Sequence, residues 1–279
     1  SPKILRPLIK KYLVNKIYKE NDVVICDSWK SIKAVPSKVK KIFVLAHGQE
    51  FLSTDKKFWQ IKKSLNRASC IICSSRYTKN LIKEFKVTDT QKIVIPPTYS
   101  IKIPSENNKK FRTKSKLVSL LTICRLEERK GIIPVLKCLS ELNKNNSLKP
   151  FLWNICGEGP QKKEIKEIIK GLGLSEQVKL IGRVSGDTKV DFIKKSDLFI
   201  MPSYKTKNSI EGFGISYIEA AAYGIPSIAG IDGGVLDAVT DSMTGWCVNP
   251  LNLNELSDTI MEAINNEKKR KEYGQKAKR

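Results

Sequence analysis

Two carboxylates, Glu211 and Glu219, stand eight positions apart around a glycine-flanked loop, Gly212-Phe213-Gly214. Behind the loop Ile215, Ile218, Ala221 and Ala222 recur at helical spacing, and Gly224 with Pro226 marks a C-terminal stop. The pattern predicts Glu211 in the loop and Glu219 on the helix it opens. Lacking a Cβ, Gly212 and Gly214 let backbone N–H groups approach a ligand, and a helix N-terminus behind them favours an anion. Phosphate oxygens would take the N–H groups, and sugar hydroxyls the carboxylates. Glutamates at this spacing also arise by chance, and Gly-Phe-Gly also makes a plain turn. Nine residues do not separate the two readings.

At 279 residues the chain has room for two α/β domains or one large one. With 41% apolar and 28% charged residues it has the composition of a soluble globular protein. No apolar run approaches the ~20 residues of a membrane span, and the opening residues do not read as a signal peptide. The seven cysteines (26, 70, 73, 124, 138, 156 and 247) are scattered, several in apolar strand-like runs, and read as reduced. Together these features predict a cytoplasmic protein. Cys70 and Cys73 form the one C-x-x-C spacing, but within "ASCIICSS" it reads as a buried strand rather than a metal or redox turn.

Net charge is +23 at pH 7, and it is unevenly spread. Residues 1–116 carry 27 Lys and Arg against 8 Asp and Glu; residues 117–279 carry 24 against 20. Such a basic segment attracts a polyanion or an anionic membrane surface, or else is lysine-rich solvated surface. It shows no RNA- or DNA-reading motif and few clustered aromatics, which argues against a specific nucleic-acid partner.

Alternating apolar strands and helices predict parallel sheets. Ile4, Leu5, Leu8, Ile9, Tyr12, Leu13 and Ile17 recur on one face of a first helix, with basic residues largely between them. Such a helix packs on a sheet or lies on a membrane. Strands "DVVICD", "KKIFVLA", "ASCIICSS" and "KIVIPP" follow, with a helix over Arg76–Phe85. The only histidine, His47, ends the second of these. Residues 105–116 read as a basic linker between an N-terminal domain (1–104) and a C-terminal domain (117–279). The second domain restarts with "LVSLLTIC", "FLWNIC", "VKLIG", "DLFIM", "PSIAG" and "GWCV", with helices between and after them.

Eight signatures come in order in this second part: Arg125-Leu126 with Lys130-Gly131, Gly157-Glu158-Gly159-Pro160, Gly182-Arg183-Val184, Pro202-Ser203, Glu211 through Ala220, Gly224-Ile225-Pro226, Gly233-Gly234, and Thr244-Gly245. In this order and spacing they resemble a retaining glycosyltransferase of the GT-B fold, family 4 (glycosyl transferases group 1). The nearest likeness is to enzymes building surface polysaccharides and glycoproteins. The resemblance implies an α/β protein of GT-B architecture: two Rossmann-like parallel-sheet domains with the cleft between them, the first incomplete here.

It also implies roles. Arg125 and Lys130 would clamp the leaving diphosphate of a nucleotide-sugar donor, a guanidinium fork beside a point charge, so that no metal or other cofactor is expected. Glu211 would hold donor-sugar hydroxyls, assisted by the N–H groups of Phe213 and Gly214 next to Gly212. Glu219 would take the ribose hydroxyls. Ile181, Gly182 and Arg183 would contact the base, while Gly157, Glu158, Gly233 and Gly234 would complete the donor site. His47 falls where the family often places a histidine facing the donor sugar. The acceptor would be a glycan or a lipid-linked sugar, with an anionic membrane surface on the inner face as a candidate partner.

Three departures qualify the resemblance. Cys124 stands where a glycine usually precedes the arginine, and Lys205–Ser209 lengthens the loop before Glu211. The residues before 20 leave no room for the strand and glycine-rich loop that open the family's first domain. A sugar-nucleotide epimerase, a phosphorylase or a non-catalytic nucleotide-sugar or nucleic-acid-binding relative would share much of the pattern. Acceptor-dependent release of nucleoside diphosphate distinguishes transfer from these.

Overall fold

The computed structural model describes residues 5–19, 22–52, 57–99 and 117–279. The predicted basic linker, 105–116, lies outside them. The chain divides into two compact units: Ser1–Pro97 with Lys207–Phe213, and Thr98–Thr206 with Gly214–Arg279.

The first unit contains α1 (Arg6–Ile17), β1 (Val24–Cys26), β2 (Ile42–Ala46), α2 (Phe58–Leu65), β3 (Cys70–Cys73), α3 (Arg76–Lys83) and β4 (Gln91–Val94). Its sheet is parallel throughout, in the order β1-β2-β3-β4. Apolar runs such as Cys70–Cys73 form strands here because helices and loops cover them, leaving Cys70, Ile71 and Cys73 buried. Burial pushes the Cys73 thiol up to about 11, so it stays protonated at neutral pH. Ile42, Val44, Ile61, Leu65, Ile71, Ile82 and Phe85 make the core. α1 does not pack on this sheet as a covering helix would. It rests against the turn Ser31–Ala34, and Leu8, Tyr12 and Ile17 are 65%, 65% and 71% exposed.

The second unit contains β5 (Val118–Ile123), α4 (Ile132–Lys144), β6 (Phe151–Cys156), α5 (Lys162–Gly171), β7 (Val178–Gly182), α6 (Gly186–Lys194), β8 (Leu198–Met201), α7 (Ile215–Ala222), β9 (Ser227–Ala229), β10 (Gly245–Cys247), α8 (Leu253–Asn265) and α9 (Glu267–Lys278). The strand order is β10-β9-β8-β5-β6-β7, all parallel. Successive side chains point to opposite faces of a strand, and the two faces carry separate cores. Leu120, Trp153, Leu198 and Ile228 pack with α4, α5 and α8, whereas Leu121, Phe199, Met201 and Ala229 pack with α6 and α7. From β5 the chain runs outward to β7, then returns to β8 on β5's other side. The order in which strands are added thus reverses between β5 and β8, the place where such sheets open a crevice beyond their carboxyl ends.

α9 has little apolar surface, and specific clips hold it. Tyr273 packs on Trp246 with ring centroids 4.7 Å apart, and Arg270 donates to the Ala263 and Ile264 carbonyls. Glu262 accepts from Lys269 at 2.5 Å and from the Trp246 indole at 2.7 Å. The Lys269 hydrogen bond, joined by that of Trp246, holds the Glu262 carboxyl below the usual glutamate range. A carboxyl lowered by folding stabilises above its unfolded pKa, and the gain is lost as pH falls through the lowered value. Because Glu262 is 41% exposed, solvent screening keeps its worth to roughly 0.5–1 kcal/mol. Glu262→Gln is therefore expected to lower the urea midpoint at pH 7, by a deficit that shrinks as the pH is lowered through the acid range. A deficit that stays equal across that range would rule out the ionic contribution.

Candidate functional site

In the second unit the exits of β5, β6 and β7, on one side of the reversal point, are stitched together. Cys124 N–H donates to the Cys156 carbonyl at 3.0 Å, Leu126 N–H to Glu158 at 2.9 Å, and Gly157 N–H to Gly182 at 2.7 Å. These bonds bring Arg125, Gly157, Glu158 and Gly182 together. Gly157 (φ +150°) and Gly182 (φ +84°) adopt backbone shapes that side chains rarely take. A Cβ at Gly157 would also strike the Cys124 carbonyl oxygen. Cys124 carries a side chain at the exit of β5, and its neighbour across the exit, Gly157, is a glycine.

Lys130 ends the short turn Glu128–Lys130 and is only 6% exposed. The turn is anchored on the exit of β8: Tyr204 N–H donates to the Arg129 carbonyl at 2.9 Å, and Gly131 backs onto Pro202. Arg125 is mostly exposed and pairs with Glu127 at 3.1 Å, while Arg129 takes the other oxygen of Glu127 at 3.2 Å. Glu127 thus organises the cations of this turn. Glu158 pairs with Lys162 at 2.7 Å. Ile181 is 40% exposed, and Arg183 is also exposed, at the exit of β7. Gly233 and Gly234 follow β9, with Gly233 at φ +75° ahead of the turn Val235–Asp237. A separate groove of about 530 Å³ touches the same turn through Glu128 but is lined by none of the predicted donor residues.

α7 starts at Gly214 (φ +96°) and is tied to two strand exits. Ser216 Oγ donates to the Ile123 carbonyl at 2.9 Å, and the Tyr217 hydroxyl donates to the Met201 carbonyl. Glu219, one turn after Ser216, is only 5% exposed and pairs with Lys189 of α6 at 2.5 Å. The sequence reading missed Lys189. Nothing in its neighbours marks it, and its partner lies 30 residues away.

In the first unit the loop carrying Glu211 meets the exits of β2 and β3. A Cβ at Gly212 would strike the His47 carbonyl oxygen, and Ser74 Oγ donates to the Gly212 carbonyl at 3.5 Å. Gly212 is therefore required here for close backbone approach, and the structure brings His47 and Glu211 into one loop cluster. His47 is exposed, and its Nε2 lies 3.2 Å from the Asp27 carbonyl. A carbonyl only accepts, so Nε2 carries the proton and the ring is held from that side. The backbone N–H of His47 donates to Glu50 at 2.7 Å. Phe213 is buried.

A parallel α/β unit whose strand order reverses in this way has the layout of a doubly wound, Rossmann-like domain. The sequence pattern of the glycosyl transferases group 1 family matches residues 105–279, and the chain belongs to that family. It is 26% identical over 217 residues to an uncharacterised glycosyltransferase of Methanocaldococcus jannaschii, covering 78% of this chain and 56% of that protein. It is 29% identical over 153 residues to a GDP-mannose-dependent monoacylated alpha-(1-6)-phosphatidylinositol monomannoside mannosyltransferase of Corynebacterium glutamicum, covering 54% and 39%. It is also 25% identical over 214 residues to the alpha-monoglucosyldiacylglycerol synthase of Streptococcus pneumoniae, covering 73% and 46%. The chain thus spans about half the length of the curated relatives it matches. The crystal structure of Anabaena Alr3699/HepE in complex with UDP and glucose shares its fold at TM-score 0.79 and 20% identity, over 98% of this chain and 77% of that one. The fold is the α/β, parallel-sheet fold of the GT-B glycosyltransferases.

Proposed function

We propose that the protein transfers a hexose from a nucleotide-diphosphate sugar to a glycan or lipid-linked acceptor, with retention and without a metal. The observation that carries this reading is the buried Lys130, in a turn hung on the exit of β8 at the sheet's reversal point, with Glu219 on the helix tied to the exits of β5 and β8. In the reaction the anomeric carbon–oxygen bond to the diphosphate breaks, and a bond to an acceptor hydroxyl forms on the same face. The acceptor proton passes to the departing diphosphate oxygen. Arg125 and Lys130 stabilise the charge that develops there, and do so best where water is excluded. Glu211 holds sugar hydroxyls, and His47, held through Nε2 by the Asp27 carbonyl, orients them. Glu219 takes the ribose, and the exits of β6, β7 and β9 line the rest of the donor.

The acceptor reading draws support from relatives named for lipid substrates and from the basic first unit. α1 exposes Leu8, Tyr12 and Ile17 beside Lys10, Lys11 and Lys16, a pattern suited to an anionic lipid interface on the cytoplasmic side. No helix among the described residues is long and apolar enough to cross a membrane.

A thermal-shift panel of nucleotide sugars tests the donor site, because binding to the folded state raises Tm with affinity and concentration. At least one nucleotide sugar is expected to raise it, and its nucleoside diphosphate to appear only when acceptor is added. A panel without any stabilising member would refute the donor reading. The membrane reading requires binding to phosphatidylglycerol-containing vesicles at moderate salt, and fails if the protein stays unbound.

A further inference from the structure

Glu219 is nearly buried, its side chain 7% exposed, yet its carboxylate is only half used. Among the described residues its one hydrogen bond is from Lys189 Nζ to Oε1, at 2.5 Å. Oε2 is not sealed into the core, since the described side-chain atoms both enclosed and unpaired are Trp29 Nε1 and Gln177 Oε1. Lys189 is 22% exposed and comes from α6, the helix that follows the exit of β7, whereas Glu219 sits on α7. The carboxylate is therefore gripped from one side by a cation on a neighbouring helix, with its second oxygen left as an open acceptor.

We propose that Lys189 is a positioning residue of the donor site: it fixes Glu219 through Oε1 so that Oε2 is presented to a ribose hydroxyl, making the site selective for ribonucleotides. This rests on the reading of Glu219 as the ribose partner. A buried carboxylate stripped of its cation is strongly unfavourable and turns or re-pairs to escape. A hydroxyl bound to a misdirected oxygen loses its hydrogen bond, whereas a nucleotide lacking that hydroxyl loses nothing. The effect of Lys189 is thus expected in the ratio of ribo to deoxyribo affinity, which general damage to the fold does not change.

The test titrates UDP and GDP, each beside its 2′-deoxy and 3′-deoxy forms, into the parent, Lys189→Met, Lys189→Gln, Lys189→Arg and Glu219→Gln. For the nucleotide that binds, the parent is expected to favour the ribo form over at least one deoxy form by about tenfold or more, as for a hydrogen bond to a charged group. Lys189→Met and Lys189→Gln should weaken the ribo form and leave the deoxy forms unchanged, erasing the preference; Lys189→Arg should restore it. Met and Gln are both good helix formers for α6, so either variant serves if the other fails to fold. Loss of preference in Glu219→Gln but not in Lys189→Met or Lys189→Gln overturns the role of Lys189 alone. Equal weakening of ribo and deoxy forms also overturns it. A preference that survives Glu219→Gln overturns the ribose reading of Glu219, and with it this proposal.

Discussion

Glu211→Ala is expected to lower sugar transfer about a thousandfold while leaving the unfolding transition where it is. A carboxylate that holds two sugar hydroxyls makes two charge-assisted hydrogen bonds of about 1.5–3 kcal/mol each. Losing both in the transition state removes roughly 4 kcal/mol, or about three decades in rate. Glu211 is half-buried in a loop rather than part of a sheet or helix core. The adjoining contacts that shape the loop, Gly212 on the His47 carbonyl and on Ser74, survive the change. The check is kcat/KM from nucleoside diphosphate release, with urea unfolding of the same samples. A variant within threefold of the parent would remove Glu211 from the donor site. A variant that had lost both activity and the unfolding transition would make Glu211 structural.

Lys130→Ala is expected to cost about 10²- to 10³-fold in kcat, the range for removing one preorganised group aimed at developing charge, and to weaken the donor as well. The charge is placed by geometry: the turn Glu128–Lys130 is hung on the exit of β8, and Gly131 at φ +71° lets α4 begin at once. Lys130→Arg is not expected to rescue activity. Its planar fork differs from a point charge, and a side chain only 6% exposed has little room for a larger one. Steady-state kinetics at saturating acceptor separate the possibilities. A rise in donor KM with kcat unchanged would mean that Lys130 binds the ground state and the transition state alike, against the leaving-group role.

Most strands of both units were legible because parallel strands are covered on both faces and read as apolar runs. "FLWNIC", "LFIM" and "CIIC" each became a strand, and the glycine after "FLWNIC" and the one that ends "VKLIG" marked the exits of β6 and β7. α9 cannot be read from a local pattern, because Glu267–Lys278 carries almost no apolar period. Its stability comes from Tyr273 on Trp246 and from Arg270 on carbonyls, which no local pattern encodes. α1 went the other way: apolar residues at helical spacing suggested a sheet-packing face, but the helix forms with those residues exposed. Periodicity reports that a helix has an apolar stripe, not what meets it.

The candidate site divides along the same line. Spacing around a glycine loop singled out Glu211 and Glu219 as candidates, and the family resemblance added Arg125 and Lys130, since such local patterns survive without coordinates. Tertiary structure alone decided which groups act on them. Lys189 grips Glu219 across 30 residues, and Ser74 reaches Gly212 across 138. Both contacts exist because sheet order sets which helices and loops become neighbours, and sheet order is a long-range property that no stretch of the chain carries by itself.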